Sequence, residues 1–500
     1  MTTPAFVRVG ALAWALVRAD ALLPREIDGR LTPGVRLIGG LLRLLSGRRA
    51  RVGRPGERLA VVLEQQGPVA IKLGQFLATR GDVFGVVFAS DVARLQDRLA
   101  PFPTPTARVA VESALEAPVE RLFARFDDAV AAASLAQVHR AALHDGREVA
   151  VKVLRPDIEA RVATDARALT WLGDMAHALV PAARRLEPRA FVATVCRALE
   201  LELDLRFEAA GADELREAMA DDGYMRAPKV VWDGVARRVL TLEWANGAAL
   251  SEAATLDRPG LDRPALATNL IRAFLAQALD HGVFHADLHE GNLFVDEAGR
   301  LIAVDFGIIG RLGHRERRFL AEILWGFIRR DYARLAAVHF DAGYVPQSQD
   351  RAAFAQALRA VGEPVVGRAA ADVSMNRLLT QLFEITALFS MRLRPELVLL
   401  QKTMVTVEGV ARRIDPACDI WASAEPVVRR WITRELSPVA RLTAFADEVR
   451  AISVNLARLA AAPPSAAMAA PQATRSAAPW ACAVGALATA LAIALAALLR

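Results

Sequence analysis

Hydrophobic and polar positions along the chain change period twice. Helical periodicity runs through RLAVVLEQQGPVAIKLGQFLA from Arg58 and predicts a helical region reaching Leu99, which the breaker PFPTP at Pro101 to Pro105 closes. Alternation with a period of two then takes over. Ala129 to Leu143 and Arg147 to Leu154 read as β-rich runs around the turn His144-Asp145-Gly146, with Val149, Val151 and Val153 on one face and Ala150, Lys152 and Leu154 on the other. Helix is predicted from Asp157, broken near Pro181 and restarted at Pro188, so that one helix carries Glu202, Asp204 and Glu208. Strands return over Val230 to Glu243. A polar step, VLTLEWANG, follows to Gly247 and reads as a hinge whose backbone, at Glu243 and beyond, is free to bond an adenine edge. From Leu266 onward the pattern is helical, apart from a hairpin of Leu293 to Val295 and Leu301 to Val304.

That hairpin sits inside HADLHEGNLFVDEAGRLIAVDFG, from His285 to Gly307. Folding its two runs together brings Asn292 and Asp305 to the same end, where an amide oxygen beside a carboxylate can hold a hard cation such as Mg²⁺. Asp287 lies on the loop leading in, placed to orient a nucleophile. H-x-D-x-x-x-x-N followed by D-F-G matches the catalytic and metal loops of protein kinases. Ala286 stands where most kinases have Arg, so control by activation-loop phosphorylation is not expected.

The V-A-V-K run ending at Lys152 is the pattern in which a strand lysine neutralises nucleotide phosphates. Ala131, Ala132, Ala133 and Ser134 occupy the turn where a protein kinase carries a Gly-rich phosphate loop. Alanine stiffens that turn and limits how closely its N–H groups approach phosphate. Asp204 and Glu208, four apart, share a helical face, and Glu202 is rotated away from both. One carboxylate can therefore pair with Lys152 while Glu202 looks toward another partner.

Composition narrows the class. Five hundred residues with 54% hydrophobic content suffice for several domains. The net charge of +6 comes without basic runs interleaved with aromatics, and nucleic-acid binding is not expected. Cys196, Cys418 and Cys482 share no metal or disulfide spacing, which suits a reducing compartment. Of 62 basic residues only Lys72, Lys152, Lys229 and Lys402 are lysines. A position that keeps Lys is then a candidate for needing a compact ammonium. Lys402, Thr403 and Glu408, on a predicted helix, read as structural. VRLIGGLLRLL at Val35 to Leu45, followed by Arg48, Arg49, Arg51 and Arg54, reads either as a basic amphipathic helix lying on an anionic membrane or as a helix packed on the body. Ala461 to Pro479 is Ala/Pro/Ser-rich and reads as a linker. Ala481 to Leu499 carries no charge and is long enough to span a bilayer; the alternative is an alanine-rich helix packed on the body.

Five motifs in order, K-x-G-Q at Lys72 to Gln75, AAAS at 131–134, V-A-V-K, E-x-D at Glu202 and Asp204 with Glu208 beyond, and the HADLHEGN and DFG pair, resemble the UbiB family, also called the ADCK family, of atypical protein-kinase-like proteins. The resemblance covers about Pro33 to Leu442. It implies an α+β, two-lobed protein-kinase-like fold with an N-terminal helical extension (1–100), an N-lobe (101–245) and a helical C-lobe (246–460), to which composition and hydropathy add a linker (461–479) and a single transmembrane tail (480–500) where many bacterial members of the family carry two spans. It also implies that Lys152 binds nucleotide phosphate and pairs with Glu208, that Asn292 and Asp305 bind Mg²⁺, that Asp287 is catalytic, and that Lys72 meets the E-x-D acids over the cleft where a protein substrate would enter. The expected protein binds ATP and Mg²⁺, acts as an ATPase or a kinase of a small lipid-like molecule, and supports ubiquinone or another isoprenoid quinone pathway. Its globular part would lie in the cytoplasm against the inner membrane, beside isoprenoid lipids and quinone-biosynthesis enzymes. The competing readings are a nucleotide-binding scaffold for such enzymes and a phosphotransferase of the antibiotic-kinase type, which shares H-x-D-x-x-x-x-N but leaves K-x-G-Q unexplained.

Overall fold

The computed structural model describes residues 5–21, 33–46, 53–78, 86–92, 95, 100–179, 187–363, 385, 388–391 and 395–435. The predicted linker and membrane tail lie outside these residues. Among the described residues no helix is long and apolar enough to cross a membrane.

The chain opens with helices α1 (Ala5–Arg18), α2 (Pro33–Arg43), α3 (Pro55–Gln66), α4 (Pro68–Ala78) and α5 (Val86–Val92). Pro55 and Pro68 each start a helix, where a missing N–H costs nothing. Ala60, Leu63, Val92 and Leu95 form a small core between α3, α4 and the segment after α5. Gly74, the glycine of K-x-G-Q, lets α4 come close: a Cβ there would sit 2.1 Å from Leu95 Cδ1 and 2.8 Å from Leu63 Cδ1. Val69 belongs to the main core of the molecule, and Leu73 and Phe76 pack against it. The extension is thus joined to the body through the face that bears K-x-G-Q.

Helices α6 (Thr104–Leu115) and α7 (Val119–Leu122) precede a sheet of β1 (Arg125–Ala132), β2 (Ala136–Ala142), β3 (Glu148–Leu154) and β5 (Val239–Glu243), ordered β1-β2-β3-β5 with every neighbour antiparallel. The single run predicted over Ala129 to Leu143 is two strands, because the chain reverses at Ala133 and Ser134. Val149, Val151 and Val153 are fully buried against Val111, Val119 and Phe123, as their alternation requires. A second interior link is polar. Gln137 Oε1 accepts from Phe102 N at 2.8 Å, and its Nε2 lies 3.2 Å from the Phe102 carbonyl and 2.8 Å from His139 Nε2. His139 Nδ1 donates to the Asp127 carbonyl.

Helix α8 (Ile158–Leu179) leads to α9 (Pro188–Glu202) and α10 (Leu205–Ala220). Here the structure corrects the expectation of one continuous helix through Glu202, Asp204 and Glu208. Leu203 and Asp204 break it, and Asp204 adopts an extended conformation as the N-cap of α10, its side chain accepting from Arg206 N at 3.2 Å. Strand β4 (Met225–Arg226) follows, and after β5 come β6 (Ala248–Ala249), α11 (Ala253–Leu256) and α12 (Arg263–Ala276), which ends in a π-turn, Gln277–His281. Strands β7 (Val283–His285), β8 (Leu293–Val295), β9 (Leu301–Ala303) and β10 (Ile309–Arg311) frame the site, in sheets ordered β4-β9-β8-β6 and β10-β7. The hairpin is therefore real but not isolated. Helices α13 (His314–Arg329), α14 (Tyr332–Asp341), α15 (Arg351–Gly362), α16 (Pro395–Ile414) and α17 (Ile420–Glu435) complete the helical lobe. Helix α16 contributes Val407, Val410, Ala411 and Ile414 to the main core beside Leu270 and Phe274 of α12.

Candidate active site

Lys152 projects from the face of β3 opposite the three buried valines, and its side chain is only 21% exposed. Its ammonium donates to Glu208 Oε1 at 2.8 Å, Glu208 Oε2 at 2.9 Å and Asp305 Oδ1 at 3.0 Å. One cation thereby ties together the strand sheet, helix α10 and the loop after β9. Burial works against the charge on Lys152, but Asp305 and Glu208 outweigh it and raise the ammonium's pKa. Burial pushes Glu208 up to about 7, opposed by Lys152 and reinforced by repulsion from Asp305. Asp305 is held below the usual carboxylate range, chiefly by Lys152 and in part by Lys72.

Asp305 has φ +60°, a left-handed conformation that Asp tolerates better than most residues. Its position relative to Asn292 follows from β8 pairing with β9, extended by Val304 N donating to the Asn292 carbonyl at 2.9 Å. Asn292 Nδ2 donates to the Asp287 carbonyl at 3.0 Å, which leaves Oδ1 as the amide's available acceptor.

His285 holds the two loops together. Its Nδ1 accepts from Asp287 N at 3.1 Å, so Nε2 carries the proton and donates to the Val304 carbonyl at 3.1 Å. Burial lowers the His285 pKa and keeps the ring neutral, as this pattern of one donor and one acceptor needs. Phe306 packs on the ring, 5.4 Å between centroids. The Asp287 carboxylate then lies between His289 Nε2, 3.6 Å from Oδ2, and Lys402 Nζ, 3.5 Å from Oδ1. Lys402 is on α16, and its neighbour Thr403, fully buried, has Oγ1 3.1 Å from the Ala286 carbonyl. Reading both as structural missed their contact with the candidate catalytic loop. The scarcity of lysine was the only signal in the sequence.

Two models of known families match this chain: the ABC1 atypical kinase-like domain over residues 94–339 and the UbiB helical domain over 358–419. A protein of Xylella fastidiosa strain M12 named "Probable protein kinase UbiB" is 41% identical over 392 residues, 77% of this chain and 71% of that relative. The chain belongs to the UbiB family of ABC1 atypical kinase-like proteins. A second relative of the same name, from Xylella fastidiosa strain Temecula1, is 40% identical over the same shares. The solved structure of Rv3197 from Mycobacterium tuberculosis, in complex with erythromycin, shares the fold with a TM-score of 0.53 at 23% identity, covering 73% of this chain and 93% of that one.

Other residues singled out in the UbiB motifs divide between those the structure brings to the cleft and those it places elsewhere. Lys72 Nζ is 3.0 Å from Glu202 Oε2, both side chains being mostly buried. Gln75 is on the same helix, α4. Asp204, by contrast, is turned to Arg206, with Arg206 Nε 2.8 Å and Nη2 2.6 Å from its two oxygens. The expectation that Lys72 meets both E-x-D acids holds for Glu202 and not for Asp204, whose carboxylate is used as a helix cap. Ala131 and Ala132 lie in β1, paired with Val138 and Gln137. Ala133 N donates to the Ala136 carbonyl at 2.8 Å and its own carbonyl is gripped by Arg155 at 2.9 Å, while Ser134 is fully buried. The Ala133 N–H is thus committed to the turn itself. At the predicted hinge, Glu243 N donates to the Lys229 carbonyl at 2.8 Å and Ala150 pairs with Leu242. That Glu243 N–H is also already used, as is the Trp244 N–H, which donates to the Glu148 carbonyl at 2.9 Å.

The donors fit a magnesium ion without forming a closed cage. Asn292 Oδ1 and the half-exposed Asp305 carboxylate are hard oxygens at one end of the hairpin. Among the described residues no group of three or more His, Cys, Asp or Glu side chains could hold a metal. Two protein oxygens, with the rest from phosphate and water, is how Mg²⁺ is ordinarily bound beside a nucleotide.

Proposed function

We propose that the chain is a membrane-associated, Mg²⁺-dependent, ATP-binding atypical kinase or ATPase that supports ubiquinone or another isoprenoid quinone pathway. The observation that carries the reading is Lys152 held between Glu208 and Asp305, with Asn292 and Asp287 on the adjoining loop. In this reading Lys152 neutralises phosphate oxygens, Asn292 and Asp305 hold the cation, and Asp287 orients the attacking oxygen. The cation would offset charge on the transferred phosphoryl group. Everything else is positioning: His285 fixes the backbone on both sides, and Glu208 fixes Lys152.

A small acceptor, or water, is favoured over a protein. Helix α4 brings Lys72 to Glu202 and close enough to Asp305 to lower its pKa. Its neighbours Leu73 and Phe76 are packed against the main core, so this helix is a fixed part of the cleft wall. A membrane location is supported by α2 and the turn after it, where Leu37, Leu41, Leu44 and Leu45 fall on one helical face and are each more than half exposed. The relatives' name and the family's part in quinone synthesis support the pathway. The scaffold reading keeps nucleotide binding but assigns no task to Asp287.

The test is the quinone content of cells lacking the gene, re-expressing either the intact chain or Asp305→Asn. Restoration by the intact chain alone is expected. Restoration by Asp305→Asn as well would leave a scaffold, and unchanged quinone in the deletion would remove the pathway from the proposal.

A further inference from the structure

We propose that Lys402 is a positioning residue for Asp287, delivered to the catalytic loop by the UbiB helical domain. The inference rests on the phosphoryl-transfer reading above and adds a residue that none of the family's motifs described here contains. Three of the chain's four lysines face acids around one cleft: Lys72 meets Glu202, Lys152 meets Glu208 and Asp305, and Lys402 meets Asp287. In a chain that otherwise uses arginine, this is where a compact ammonium with three rotatable donors has been kept.

Helix α16 approaches the loop at three points. Thr403 reaches the Ala286 carbonyl, Lys402 reaches Asp287, and Arg413 pairs with Glu290. Lys402 and Arg413 are eleven residues apart, about three turns, and so share the face turned to the loop. Thr403 is the buried anchor, whereas the Lys402 side chain is 43% exposed. A pair that exposed adds little to stability. Its position against the acceptor-orienting carboxylate is what gives it a use. With His289 Nε2 3.6 Å from Oδ2 and Lys402 Nζ 3.5 Å from Oδ1, the carboxylate is flanked on both sides, and Lys402 brings the fixed positive charge. The ammonium also offsets the repulsion between that carboxylate and an incoming polyphosphate.

The experiment uses the full chain in lipid nanodiscs, measuring Mg·ATP affinity, kcat and KM for ATP turnover, and melting midpoint in the intact protein, Lys402→Met, Lys402→Ala and Lys152→Ala. For Lys402→Met we expect affinity, KM and melting close to those of the intact protein, with kcat lower by about thirtyfold or more. Added ethylammonium should restore at least about a tenth of the lost rate to Lys402→Ala, and ethanol should not. If kcat of Lys402→Met stays within about threefold of the intact chain while Lys152→Ala is inactive, the inference is overturned and the function stands. It is equally overturned if affinity and melting fall together with kcat and ethylammonium restores nothing, since Lys402 is then structural. Turnover that survives Lys152→Ala removes the phosphoryl-transfer reading itself, and this inference with it.

Discussion

Glu208 offers the sharpest test of the electrostatics around Lys152. Its carboxyl is pushed from the ordinary 4.5 up to about 7 in the folded protein, mainly by burial. A carboxyl whose folded pKa is raised binds its proton more tightly in the native state. Stability is then fullest below about pH 4.5 and is lost as pH rises through about 7. At about 1.4 kcal/mol per pKa unit the loss is about 3 kcal/mol. For a folded body of about four hundred residues that is a melting shift of about 4 °C. Glu208→Gln copies the protonated form: its carbonyl still accepts from Lys152, and its amide can donate to Asp305. Melting midpoints of the intact chain and Glu208→Gln, taken without nucleotide from pH 5 to pH 8, should diverge with rising pH in favour of the variant. The same variant should bind Mg·ATP more weakly, because Lys152 loses a charged partner that fixes it. A difference between the two proteins that is flat with pH, or that turns toward the intact chain as pH rises, would refute the reasoning. Glu208 would then be a stabilising ion-pair partner and not a strained one.

Three further outcomes follow from packing and hydrogen bonding. Gly74→Ala should gain about 1 kcal/mol of helix propensity but lose about 1–3 kcal/mol to the contacts with Leu95 and Leu63, for a lower melting midpoint and a displaced α4. Gln137→Leu strands the Phe102 backbone and His139 Nε2, all satisfied by one side chain; denaturant unfolding should show a loss of about 2–4 kcal/mol. Asp204→Ala removes an N-cap and should cost about 1 kcal/mol of stability with Mg·ATP affinity unchanged, whereas Glu202→Ala deprives the largely buried Lys72 of a partner. A large fall in ATP affinity for Asp204→Ala would place that carboxylate in the cleft after all.

The parts of the site that lie close together in sequence were legible there. Asn292 and Asp305 are brought together by an eleven-residue hairpin, Leu293 to Ala303, and the alternation of β3 alone decides that Lys152 faces away from the valine core. That Glu202 points away from the other acids came out of helical geometry, and the pairing of Glu208 with Lys152 came from the family resemblance. The break at Leu203 and Asp204 did not, although an Asp just before an apolar helical run is a recognisable cap. Lys402 and Thr403, which read as structural, have partners more than a hundred residues away on another element, and periodicity carries no information about such contacts. Nor could the sequence show that Ala133 and Glu243 spend their backbone N–H groups within the protein, since that depends on which carbonyl each one faces.

The sparing use of lysine has a practical consequence. Apart from the chain terminus the protein offers amine-reactive reagents four targets: Lys72, Lys152 and Lys402 face the cleft acids, and the exposed Lys229 sits at the hinge, its backbone bonded to Glu243. Acylation counted by mass would therefore report almost entirely on the cleft. Lys402, the most open of its three lysines, should be modified before Lys152 and Lys72, and a bound nucleotide should change that order. A protein of this composition carries its own footprinting label.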